Sequence, residues 1–138
     1  MAETITLSGV PETMLQTVYA RARESAGRGV IQDKKAEEII GKLHYDFSLA
    51  DKDSAMRSGV IARTLVLDRL VREWLAKNAG AVVVNIACGL DTRCYRMQGY
   101  LHWYNLDLPQ TIAVREQLLP ENGTISQIAM SAMDDWGS

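Results

Sequence analysis

Through the first part of the chain, apolar residues return every three or four positions. In "VPETMLQTVYARARES", Met14, Val18 and Ala22 share one face with Leu15 and Tyr19 beside them, and Pro11 is placed for a first helical turn. The spacing predicts a helix that the glycines of "AGRGV" interrupt. "DKKAEEIIGKL" predicts a second, capped by Asp33 and stopped near Gly41, and "HYDFSLADKD" reads as a loop. A longer helix is expected from about Ser54 to Lys77, with Ile61, Leu65, Leu67, Leu70, Val71, Trp74 and Leu75 as a broad apolar face, ended by Asn78 to Gly80.

The period then changes. "AVVVNI" is β-branched and apolar on both faces, as a strand covered on both sides of a parallel sheet reads, and is expected to be central. "HWYNLD" is a second strand, "PQTIAVREQLL" a helix opened by Pro109, and "TISQIAM" a third strand after the Asn122–Gly123 turn. Strand, short helix, strand, helix, strand is half of a doubly wound α/β sheet. Residues 1–80 form a helical cap region and 81–138 the sheet, within one domain.

In such sheets ligands sit beyond the carboxyl ends of the strands. The first strand delivers Ala87, Cys88 and Gly89 to a tight turn where small side chains let a ligand approach the backbone, although a glycine there also serves as a plain turn. Asp107 ends the second strand 18 residues after Gly89. An acid there accepts hydrogen bonds from a ribose diol, or it caps the helix at Pro109. After the third strand, "SAMDDWGS" offers Asp134 and Asp135 to an adenine amino group with Met133 or Trp136 against the ring, or forms a solvated acidic turn. A turn and two acidic strand ends describe a bound nucleoside.

Composition removes other classes. The net charge of −2 with interspersed signs gives no basic footprint for nucleic acid and no polybasic membrane patch. No run approaches the roughly 20 apolar residues of a membrane span, and "MAETITLSGV" lacks the features of a signal peptide, so a cytoplasmic location is expected. Cys88 and Cys94 have no His or Cys cluster to join and read as reduced thiols, and no metal site is expected. His44 and His102 are the only histidines, and structural or solvated roles are expected for both.

The runs "VVVNIACGLDTRCYRM", "WYNLDLPQTIAVREQLLP" and "SAMDDW", in this order, resemble the glycine loop, second-strand acid and third-strand acid of the leucine carboxyl methyltransferase family, its polyketide O-methyltransferase branch above all. "ETMLQTVYARARES", "IQDKKAEEII" and "ARTLVLDRLVREWL" are similar to its N-terminal helices. The resemblance implies a Rossmann-like class I methyltransferase fold, S-adenosylmethionine as cofactor, and methyl transfer to a carboxylate or hydroxyl oxygen of a small-molecule acceptor. It implies that Ala87, Cys88 and Gly89 approach the methionyl part, Asp107 holds the ribose, and Arg63 pairs with the cofactor carboxylate. A guanidinium forks well onto a carboxylate, but Arg63 also reads as a surface arginine beside Asp68, Arg69 and Arg72. Asp91 and Arg93 are expected to shape the loop as an ion pair, while Tyr19 and Arg21 read individually as a packed tyrosine and a solvated arginine.

Two departures matter. The family usually has glycine at the position of Ala87, whose methyl would cost about 1 kcal/mol and weaken cofactor binding if φ is positive there. The chain also stops just after the third strand, leaving the edge of "AVVVNI" exposed. The residues are therefore expected to be a fragment of a longer protein or to be completed by another chain, such as a second copy in a homodimer through that edge. A nicotinamide-dependent dehydrogenase would need a third glycine that "ACGLDTR" lacks. A cofactor-binding or interaction module without catalytic activity stays open.

Overall fold

The computed structural model describes residues 12–43 and 47–131. Four helices come first: α1 (Glu12–Ala26), α2 (Lys34–Lys42), α3 (Ser48–Lys52) and α4 (Ser54–Lys77). Strand β1 (Ala81–Ile86), the 3-10 turn Arg93–Tyr95, β2 (Tyr100–Asp107), helix α5 (Pro109–Leu118) and β3 (Ile125–Ala129) follow. The strands are parallel in the order β1-β2-β3, with Val83 beside Trp103 and Trp103 beside Ile125. This is the Rossmann-like α/β arrangement expected. Pro11, His44, Met133, Asp134, Asp135 and Trp136 lie outside the described residues.

Local chemistry explains the helix limits. Asp33 Oδ1 accepts from the Ala36 N–H at 3.0 Å, and Asp53 Oδ1 from the Met56 N–H at 2.9 Å, each satisfying a first-turn donor with no partner inside its helix. Asn78 Nδ2 returns to the Trp74 carbonyl at the end of α4. The segment expected to be a loop contains α3. One turn of helix forms there because Tyr19 Oη donates to both Asp51 oxygens at 2.8 Å and the Tyr19 ring stacks on Phe47, which ties the segment to α1.

One apolar cluster joins Leu15, Val18, Ala36 and Ile39 to Leu90, Val114, Leu118 and Leu119, so α1 and α2 pack on the loop after β1 and on α5. Each fully buried aliphatic side chain there is worth about 1.5–3 kcal/mol. A second cluster sets Leu75 and Val71 of α4 on Val83, Trp103 and Ile125 of the sheet.

Two expectations about apolar faces are corrected. α4 buries Val60, Ile61, Thr64, Asp68 and Leu75, while Leu65, Leu67, Leu70 and Trp74 are exposed. Its packed stripe includes Asp68 because two arginines compensate that carboxylate. Among the described residues β1 is an edge strand and β2 is central. Val82, Val84 and Ile86 remain 53 %, 46 % and 53 % exposed, since α4 covers only the opposite face of β1.

Candidate functional site

Beyond Ile86 the backbone turns sharply. The Cys88 N–H donates to the Leu106 carbonyl at 3.0 Å, and the Asp91 N–H to the Cys88 carbonyl at 2.9 Å. Ala87 has φ 56° and Gly89 φ 51°, both in the left-handed region. For Ala87 this costs about 1 kcal/mol, the strain anticipated for a methyl group at this place. Gly89 is favoured on two counts, because a Cβ there would also lie 3.1 Å from Met14 Cε, a tight contact with the side chain that α1 lays over the turn.

Asp107 stands at the carboxyl end of β2 and faces this turn. Its Oδ2 accepts from the Gly89 N–H at 2.9 Å and its Oδ1 from the Leu108 N–H at 2.7 Å. No side chain caps α5 at Leu108, so the capping alternative for Asp107 is not what the structure holds. Each carboxylate oxygen keeps further accepting capacity.

A cavity of 410 Å³ lies against the turn and is lined by Arg63 of α4 together with Ala87, Cys88, Gly89 and Asp91. A second of 230 Å³ holds Asp107 with Ile86, Leu106 and Met130, and Ala87 belongs to both. Four of the expected residues thus share one cavity, and Asp107 adjoins it. Arg63 is exposed.

The family profile of leucine carboxyl methyltransferase matches residues 14–134. The chain is 39 % identical over 143 aligned residues to the tetracenomycin polyketide synthesis O-methyltransferase TcmP of Streptomyces glaucescens, covering 99 % of this chain and 52 % of that protein. It is 32 % identical over 130 residues to the S-adenosyl-L-methionine-dependent methyltransferase dpfgK of Gibberella zeae, covering 85 % of this chain and 43 % of the relative. The chain belongs to the leucine carboxyl methyltransferase family. It spans about half the length of the curated relatives it matches.

In this chain of the leucine carboxyl methyltransferase family, an ionic cluster beside the cavity fixes the turn. Arg93 Nη1 meets Asp91 Oδ2 at 3.0 Å, the ion pair anticipated, and Arg93 Nε also meets Asp68 Oδ1 at 2.8 Å. Arg96 reaches Asp68 and Asp33, and Thr92 Oγ1 donates to Asp33 Oδ2 at 2.6 Å. Arg21 is buried rather than solvated, because its Nε pairs with Asp33 at 3.1 Å and its Nη2 donates to the Leu90 carbonyl at 3.0 Å. Burial alone would raise the Asp68 carboxyl pKa, but the hydrogen bonds and charges of Arg96 and Arg93 outweigh it and hold the group below its usual range.

Sequence reasoning passed over Asp33 in this role, Asp68, Arg96 and Arg115. The "DTR" run signalled only its local pair, whereas Arg96 and Asp33 are 63 residues apart. Burial pushes the Cys88 thiol up to about 12, so it presents backbone rather than a thiolate to the cavity. His102 Nε2 lies 2.8 Å from Ser126 Oγ and its ring leans on Tyr104, which is a structural setting. Among the described residues no group of His, Cys, Asp and Glu is placed to hold a metal ion, and no helix is long and apolar enough to cross a membrane.

Proposed function

We propose that this chain forms the cofactor-binding part of an S-adenosylmethionine-dependent O-methyltransferase. The observation that carries the reading is the pairing of a doubly left-handed turn at Ala87 and Gly89 with Asp107 on the next strand and Arg63 across the same cavity. Asp107 would accept from the ribose hydroxyls, Gly89 would leave room for the methionyl chain, and Arg63 would pair with its carboxylate. Asp134 and Asp135 are proposed for the adenine end. Bound S-adenosylmethionine supplies an electrophilic methyl group, so the protein's task is alignment and exclusion of water.

The acceptor is proposed to be a small molecule presenting a carboxylate or hydroxyl oxygen, in keeping with the polyketide named for the Streptomyces relative. A carboxylate needs no base, and none is assigned. The buried free thiols support a reducing, cytoplasmic setting. The bare edge and open face of β1 support completion by further polypeptide, with a homodimer through that edge as the form open to this chain alone. The same edge favours one second reading, a binding module that transfers nothing.

Calorimetric titration with S-adenosylhomocysteine tests the reading, with NAD as control and Asp107→Ala alongside. Binding of the first ligand alone, lost in the variant, is the expected result. A folded chain that binds neither ligand would refute it, and binding without methyl transfer would favour the second reading.

A further inference from the structure

Arg115 lies on the inner face of α5 and is 0 % exposed. Among the described residues no carboxylate lies within ion-pair distance of it. Its Nη1 donates to the Gly89 carbonyl at 3.1 Å and to the Asp91 carbonyl at 2.7 Å. Nη2 reaches Cys94 Sγ at 3.8 Å, and Nε has no partner. A buried cation served only by carbonyls and a thiol is costly, and an apolar side chain would occupy that space without the cost. What the guanidinium adds is the direction of two peptide groups.

In a trans peptide the C=O and N–H point opposite ways, and the described chain has no cis peptide. Drawing the Gly89 carbonyl toward α5 therefore turns the following Leu90 N–H away from α5. The cavity that Gly89, Leu90 and Asp91 line does not include Arg115, which lies behind the turn. The Leu90 N–H has no hydrogen-bond partner among the described residues. From the other flank, Asp107 takes the Gly89 N–H.

We infer that Arg115 is a positioning residue of the cofactor site, acting through the Gly89–Leu90 peptide to hold a free backbone donor toward the carboxylate end of the cofactor. The inference rests on the cofactor reading above. It assigns a role in ligand binding to a side chain that itself touches no ligand.

The test compares Arg115→Met, Arg115→Lys and Leu118→Ala, the last a buried residue of the same helix whose apolar side chain can donate no hydrogen bond to the turn's carbonyls. S-adenosylhomocysteine affinity, thermal stability and amide hydrogen exchange at residues 89–91 are measured for each. Arg115→Met is expected to weaken binding by about tenfold or more and to speed exchange in the turn, because charge-assisted bonds to the backbone are lost. Arg115→Lys should recover part of both, and Leu118→Ala should lower the melting temperature with affinity unchanged. Wild-type affinity in a folded Arg115→Met overturns the inference, as does an equal loss of affinity in Leu118→Ala. Should the Met variant not fold, the Lys variant decides: an affinity loss no greater than that of Leu118→Ala refutes the inference, and a greater loss at equal or higher stability than Leu118→Ala supports it. If the wild-type chain binds no S-adenosylhomocysteine, the cofactor reading fails separately, and unchanged exchange in Arg115→Lys then overturns the role of Arg115 while faster exchange upholds its hold on the turn.

Discussion

Arg96 grips Asp68 of α4 through two parallel hydrogen bonds, Nε to Oδ2 at 3.0 Å and Nη2 to Oδ1 at 2.9 Å. The same Arg96 reaches Asp33, the cap of α2, and Arg93 shares Asp68, so one carboxylate ties α4 to the segment that follows the glycine turn. Both side chains of the Arg96–Asp68 pair are 10 % exposed, and removing one partner leaves the other charge uncompensated. Asp68→Ala is expected to cost about 3 kcal/mol and lower the melting temperature by about 10 °C, measured by calorimetry. A loss no larger than that of a surface substitution would refute this role.

The pH response follows from the same group. The folded Asp68 pKa lies below its unfolded value, so its contribution is complete above that unfolded value and is lost as pH falls through the folded one. Denaturation midpoints should hold steady from neutrality to about pH 4.5 and decline below about 4. Asp68→Asn should start less stable and show a shallower decline in acid.

Relief of strain at Ala87 is testable directly. Ala87→Gly removes about 1 kcal/mol of left-handed strain and adds about 0.5–1 kcal/mol of unfolded-chain entropy, so net stability should rise by no more than about 0.5 kcal/mol. S-adenosylhomocysteine should bind more tightly to the variant. Weaker binding would mean that the methyl group itself contributes to the cavity wall.

The thiols give a chemical readout of burial. With the Cys88 pKa at about 12, only about one molecule in ten thousand carries its thiolate at pH 8. Burial raises Cys94 as well. Iodoacetamide should modify neither in the folded chain at that pH and both in urea, as followed by intact mass.

The edge of β1 makes a prediction about association. If a second copy covers it, sedimentation should show a concentration-dependent shift toward dimer, and Val84→Lys should abolish the shift with the monomer still folded. A chain that stays monomeric at high concentration would exclude the homodimer.

The turn and its acid were legible because both depend on neighbours in sequence: β-branched residues up to Ile86, small residues through Gly89, and an acid at the end of the next apolar run. The sequence marks Ala87 as a methyl-bearing residue in a small-residue turn, and its φ of 56° is the left-handed angle on which the expected strain depends. Asp68 was hidden between Leu67 and Arg69 on a helix that reads as apolar, and only partners 25 and 28 residues away reveal why it is buried. The openness of Val82, Val84 and Ile86 was half legible. Their apolarity announces a cover, while covering elements are a matter of tertiary packing that no local period encodes. α3 escaped because five residues carry too little periodicity, and its stability resides in the Tyr19–Asp51 contact.

The core formed by Leu15, Val18 and Ile39 with Val114, Leu118 and Leu119 bears on recombination between relatives. The N-terminal helices rest on α5 as much as on one another. Exchanging residues 12–77 for those of a relative, without also exchanging the inner positions of α5, would set two unrelated surfaces against each other in the close-packed interior. The helical region is thus not a portable cassette, and a graft of it would have to bring Val114 and Leu118 along.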